Sequence, residues 1–169
     1  MKLKADNKGR KEMKVEKTVT IQNKSAEELY RFWHDFENLP TFMQHLKSVT
    51  VINETRSHWV AKAPLGTSVE WDADIITDQE NQLITWKSVA GADIANSGFV
   101  QFKSAPANRG TEVKVVMEYS LPGGGLTSAI AKLLGEEPEQ QVREDLRHFK
   151  MLMEAGEIAT TEGQPTGHS

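Results

Sequence analysis

Between residues 46 and 121 apolar and polar side chains alternate in six successive runs, and this period of two constrains the fold more than any other feature. The runs are LKSVTVINE, SHWVAKAP, SVEWDADII, QLITWKSV, SGFVQFKSA and TEVKVVMEYSL. Val69, Trp71, Ala73 and Ile75 share one parity, and Glu70, Asp72 and Asp74 share the other. Val113, Val115, Met117, Tyr119 and Leu121 likewise oppose Glu112, Lys114 and Glu118. Successive side chains of a strand point to opposite faces, so each run has one covered face and one wet face. Links such as Pro64-Leu65-Gly66 and Asn108-Arg109-Gly110 are too short for parallel crossovers, which makes the sheet antiparallel.

The flanks change period. Val15, Val19 and Ile21 keep one parity across a first strand, with Lys17 as the exception. Ser25 followed by Glu28 is a capping box, and Leu29, Phe32, Trp33 and Phe36 form the apolar stripe of the helix it opens. Asn38-Leu39-Pro40 ends that helix, and Thr41-Phe42-Met43 reads as a short second turn. After Pro122 and three glycines, Leu126, Ile130 and Leu133 return to helical spacing; Gly135 to Pro138 then interrupts it. Val142, Leu146, Phe149 and Met153 mark a long amphipathic helix over 138–155, with Gly156 as terminator. The expected fold is α+β, in β-α-α-β6-α order. A curved seven-stranded antiparallel sheet must cover its apolar face, and the C-terminal helix is the element long enough to do so. The expected organisation is a basic tail over 1–12, one domain over 13–156 and a flexible polar tail over 157–169.

Composition narrows the function classes. There is no cysteine among the 169 residues, which removes disulfides, thiolate metal sites and cysteine nucleophiles and suits a reducing, cytoplasmic setting. A net charge of −4 argues against nucleic acid as a partner. No apolar run is long enough to span a bilayer, so contact with a membrane is expected to be at most transient.

The segments FWHDFENLPTFMQHLKSV, SHWVAKAPLG, VEWDADI, ITWKSVAGAD, FVQFKSAPANRGTEVKV and GEEPEQQVREDLRHFKMLME resemble the START-like SRPBCC superfamily. They are most similar to its bacterial polyketide cyclase/dehydrase group, itself similar to the coenzyme-Q-binding START-domain proteins. The resemblance covers residues 14–155 in family order. It implies the helix-grip fold, with a cavity between sheet and C-terminal helix, and a lipid- or quinone-like ligand. It does not fix an activity, because the superfamily hosts carriers, cyclases, hydrolases and regulators.

Aromatic residues come from nearly every element, several on inward parities. The candidate ligand-binding residues are Trp33, Phe42, Met43, Trp59, Trp71, Trp86, Phe102, Met117, Tyr119, Leu126, Ile130, Phe149 and Met153. Large flat side chains around a cavity suit an apolar ligand, although the same rings also fill closed cores. His34, His45, His58 and His148 show no i, i+4 partner for a metal, there is no HExxH and no GxSxG, and no cofactor is expected. The acids Glu70, Asp72 and Asp74, and the helical residues Arg143, Glu144, Asp145 and Arg147, read as solvated faces. Residues 126–134, between glycines and Pro138, read as an apolar flap. Binding or carriage of a small apolar ligand is the leading expectation. An aromatase/cyclase-type enzyme and a partner-binding module with a closed core are the alternatives.

Overall fold

The alternating runs become strands of one antiparallel sheet. In the computed structural model, which describes residues 2–5, 11–62, 66–92, 95–121 and 138–156, the strands are β1 (Lys2–Ala5), β2 (Lys11–Ile21), β3 (Leu46–Val51), β4 (Arg56–Lys62), β5 (Ser68–Gln79), β6 (Leu83–Ser88), β7 (Ala95–Ser104) and β8 (Thr111–Leu121). Their order across the sheet is β1-β2-β8-β7-β6-β5-β4-β3. The seven expected strands are present, and β1 is an eighth. It pairs with β2, Lys2 opposite Lys14 and Ala5 opposite Lys11, in the stretch assigned above to a tail. Leu3 and Ala5 do alternate with Lys2 and Lys4, but over too few residues to stand out from a charged tail.

The chain leaves β2 near one edge of the sheet and re-enters at β3, which is the other edge. Helix α1 (Ala26–His34) and a 3-10 turn (Phe36–Thr41) make that crossing. The capping box forms as predicted: Glu28 N–H donates to Ser25 Oγ over 3.1 Å, and Ser25 N–H donates to Glu28 Oε1 over 3.0 Å. Glu37 then accepts from Val51 N–H at 2.9 Å, which pins the turn to β3. Register shifts between Leu46 and Ser48 in β3, and between Ile75 and Thr77 in β5, are bulges. Bulges bend strands and increase their twist, and the sheet curves over the crossing segment.

Helix α2 (Pro138–Ala155) covers the predicted range. Val142, Leu146 and Phe149 are buried, Met153 is partly buried against the core, and Arg143 and Arg147 are exposed. Gly156 ends it at φ 80°, its N–H donating to Leu152 C=O over 2.9 Å, a left-handed cap that glycine adopts without strain. The C-terminal end is fastened to β2 because Glu154 accepts from Gln22 N–H at 2.7 Å and from Lys150 Nζ at 2.7 Å. Phe149 lies with ring centroids 4.9 Å from Phe42 and 5.1 Å from Trp33. Trp33 in turn meets Phe102 of β7 edge-on at 6.4 Å. This plug joins both helices to the sheet, and burial of a Phe side chain contributes about 1.5–3 kcal/mol.

Candidate functional site

Beyond the plug, strand register builds a second aromatic group. Trp59 of β4 is directly opposite Trp71 of β5, and the indoles stack at 5.9 Å with 24° between planes. Phe36 meets Trp59 edge-on at 5.7 Å and Trp86 at 5.9 Å. Trp33, Met43, Trp59, Trp71, Trp86, Met117 and Tyr119 line a cavity here, with Val142 and Leu146 of α2 on its helical side. Its free space is about 40 Å³, room for a few waters. A medium-sized ligand therefore enters only if the walls separate.

The other candidates lie elsewhere. Phe42, Phe102 and Phe149 are buried in the plug, and Met153 packs against the core; none of the four borders the cavity. They occupy the end of the core where α1, the 3-10 turn and α2 converge, and there ring–ring contact fills the space. Leu126 and Ile130, with the whole proposed flap, lie outside the described residues.

Three polar residues border the cavity that sequence reading did not select: His45, Asn96 and Asp145. Asn96 shares the inward parity of Val100 and Phe102 on β7, and all three are buried. Asp145 is 7% exposed, which corrects its assignment to a solvated helix face. The signal was present: Asp145 is three residues after Val142 and four before Phe149, on the edge of the apolar stripe. His45, in the link before β3, carries no such mark.

His45 Nδ1 stands 3.8 Å from Asp145 Oδ2, too far for a hydrogen bond. Burial, with Lys62 nearby, holds the imidazole down to about 4. Burial, with Glu144 adding repulsion, pushes the Asp145 carboxyl up to about 8. Tyr119 is also raised, by burial and then by Asp145. Near neutral pH the corner therefore holds a neutral imidazole, a carboxylic acid and a phenol, the forms an apolar wall tolerates.

The indole N–H groups are unevenly satisfied. Trp59 Nε1 donates to Ser57 Oγ over 2.9 Å. The Nε1 groups of Trp33, Trp71 and Trp86 are buried and have no acceptor among the described residues. All three side chains line the cavity.

On the wet face the acids are paired, which corrects the reading of them as merely solvated. Arg56 Nε and Nη2 donate to the two carboxylate oxygens of Asp74, each over 2.9 Å. His58 lies 2.6 Å from Asp72 Oδ1 and 2.7 Å from Glu70 Oε1, which raises its pKa, chiefly through the Asp72 bond. Cross-strand register puts Arg56 opposite Asp74 and His58 opposite Asp72, so the pairs follow from pairing of β4 with β5. His34 Nε2 is 2.7 Å from Asp78, which also accepts from the Tyr30 hydroxyl. None of these groups borders the cavity. Among the described residues no cluster of His, Asp and Glu has the arrangement to hold a metal ion, and no helix is long and apolar enough to cross a membrane.

A curved antiparallel sheet closed by a C-terminal helix over an aromatic cavity is the helix-grip architecture of the START-like SRPBCC superfamily. The chain belongs to the family of polyketide cyclase/dehydrase and lipid transport proteins, which residues 23–147 match. DR_A0006 of Deinococcus radiodurans is 42% identical, with a TM-score of 0.69, and the match covers 85% of this chain and 99% of that one. TTHA0849 of Thermus thermophilus is 26% identical at a TM-score of 0.67, over 85% and 99% of the two chains. The Zhui aromatase/cyclase of Streptomyces shares the fold at 16% identity, with a TM-score of 0.66, over 87% and 99%. No curated protein matches the sequence.

Proposed function

We propose that the protein binds a small, uncharged apolar ligand bearing carbonyl or similar acceptor oxygens, quinone- or lipid-like, in the cavity between sheet and α2. The observation that carries this reading is the set of three indole donors, from Trp33, Trp71 and Trp86, buried around one cavity without acceptors among the described residues. An unpaired buried donor costs roughly 1–3 kcal/mol, and a ligand oxygen placed among them recovers part of that. Aromatic walls favour a flat ligand, and Met43 and Met117 are adaptable enough to make way for one. Among the described residues no lysine or arginine lines the cavity, and a carboxylate ligand buried there would find no cationic partner among them. The family's lipid-transport description and the aromatase/cyclase neighbour are consistent with ligands of this kind.

Tryptophan-fluorescence titration with menadione, methyl decanoate and decanoate tests the reading, with native mass spectrometry for stoichiometry. Saturable one-to-one binding of the quinone or the ester, and much weaker binding of the carboxylate, is expected. Binding of none of them, or preference for decanoate, would overturn it.

A further inference from the structure

We infer that Phe36 is a side-chain gate between the cavity and an outer groove, and that the ligand enters and leaves through that groove. This deepens the binding reading above and rests on it. The groove lies at the end of the sheet where the chain turns from β3 to β4. It is bordered by His34 and Phe36 of the crossing segment, Val51 of β3, Arg56 and Ser57 of β4 and Ile75 of β5. Its free space is about 280 Å³, against about 40 Å³ in the cavity. Val51, on its rim, is 43% exposed, so the groove meets water.

Strand register brings the two spaces together on one concave face. Ser57 of β4 is opposite Ala73 of β5, which is opposite Ser88 of β6, and all three are buried. They make a row of small side chains on the inward parity. Trp59 and Trp71 flank the row on one side, and Ile75 opposite Trp86 flanks it on the other. Small residues between large ones leave a trough. The Phe36 ring bridges it, edge-on to Trp59 at 5.7 Å and to Trp86 at 5.9 Å. Phe36 and Ser57 border the groove, whereas Trp59 and Trp86 border the cavity. Ser57 Oγ accepts from Trp59 Nε1 over 2.9 Å, so a hydrogen bond also joins the two walls. One aromatic side chain thus stands between a nearly full space and an open one.

The backbone on either side of Phe36 is held. Asp35 Oδ1 accepts from Glu37 N–H at 3.2 Å, and Asp35 C=O accepts from Asn38 N–H at 2.8 Å. Glu37 is fastened to Val51 N–H, and Asn38 Nδ2 donates to Phe32 C=O over 2.9 Å. Opening therefore falls to the side chain, which turns from one staggered position to another. The groove that Phe36 already borders has room to receive the ring. Two edge-on contacts favour the closed position, and a flat ligand passing between Trp59 and Trp86 replaces them with contacts of its own.

Stopped-flow tryptophan fluorescence with menadione tests the gate, with the affinity measured at equilibrium on the same samples. The chain holds no cysteine, so an introduced thiol is the one site of labelling. Glu54→Cys, on the groove, is coupled to a polyethylene glycol maleimide; Lys103→Cys, on the wet face of β7, is the labelled control. A gate lies on the path and not in the complex. The label at residue 54 should therefore slow association and dissociation alike, by at least about tenfold, and leave Kd unchanged. The label at residue 103 should change neither rate. Phe36→Leu, which keeps an apolar side chain but no ring, should speed both rates by about tenfold. Rates unaffected by the label at residue 54, or by Phe36→Leu, overturn this inference and leave the binding reading standing. So does a label at residue 54 that weakens affinity at an unchanged association rate, because the groove is then where menadione rests. No binding of menadione by the wild-type chain overturns both.

Discussion

Gly98 of β7 lies directly opposite Trp86 of β6, and its missing side chain is what gives the indole its place on the cavity wall. A Cβ there would lie 3.0 Å from the Trp86 ring and 2.5 Å from the Val116 carbonyl oxygen. The ring has some freedom to turn; the backbone carbonyl of a paired strand has little. Gly98→Ala should therefore destabilise the protein by about 1–3 kcal/mol in urea unfolding, and shift the tryptophan emission as Trp86 is displaced. A loss under about half a kcal/mol would show that β7 and β8 accommodate the methyl group.

Leu146 closes the helical side of the cavity and is buried at 4% exposure. Leu146→Ala should cost about 2–5 kcal/mol, toward the lower end if β-strand side chains relax into the space. The enlarged cavity should also admit ligand faster, which stopped-flow fluorescence would register. Unchanged stability and unchanged entry rate together would mean that α2 does not hold the cavity shut.

Asp145 and His45 act on stability in opposite directions as pH changes. An unfolded Asp titrates near 4, so a folded value of about 8 means the folded chain keeps a proton the unfolded chain has lost; stability falls as pH rises between those values. An unfolded His titrates near 6.5, so a folded value of about 4 means the unfolded chain binds the extra proton; stability rises with pH over that window. The two offset each other up to about pH 6.5, and above it the Asp145 contribution stands alone. Urea midpoints should be level from about pH 5 to 6.5. Toward pH 8 they should decline by up to about 1.4 kcal/mol per unit. His58, raised by Asp72 and Glu70, adds a small decline of the same sign from a solvent-screened site. Asp145→Asn should remove most of the decline and leave the His58 part. An identical decline in that variant would show that Asp145 is not protonated in the folded protein.

The indoles separate a donor role from a packing role. Trp71→Phe removes an N–H that has no acceptor among the described residues, whereas Trp59→Phe removes one already bonded to Ser57. Trp71→Phe should weaken menadione binding about tenfold, the loss of one hydrogen bond. Trp59→Phe should instead lower stability, because Ser57 Oγ is left without its partner, and should change affinity less. Equal effects on affinity would remove the donor argument.

On the exposed face, Arg56→Ala breaks the two-bond pairing with Asp74. Surface pairs contribute about 0–1 kcal/mol, so the loss should stay within that range and fade at high salt. Ligand affinity should not change.

Local pattern was enough for the strands from Leu46 to Leu121, the capping box at Ser25 and the range of α2, because period, turn residues and caps are properties of neighbours in the chain. It was also enough for which parity of Trp71, Ala73 and Tyr119 turns inward. It did not separate Phe42, Phe102 and Phe149 from Trp59, Trp71 and Trp86, since an inward aromatic looks the same in sequence whether it fills a plug or borders a cavity. Only the meeting of α1, the 3-10 turn and α2 at one end of the sheet divides them.

The sequence alone determined the architecture and the apolar interior, because hydrophobic periodicity reports which face of each element leaves water. Tertiary structure decided what that interior can do. The indole donors left without acceptors among the described residues, and the nearness of His45 to Asp145, arise between residues 100 positions apart or from strands brought together by register. The charge states of that pair come from burial, and burial is a property of the packed chain, which no stretch of sequence carries.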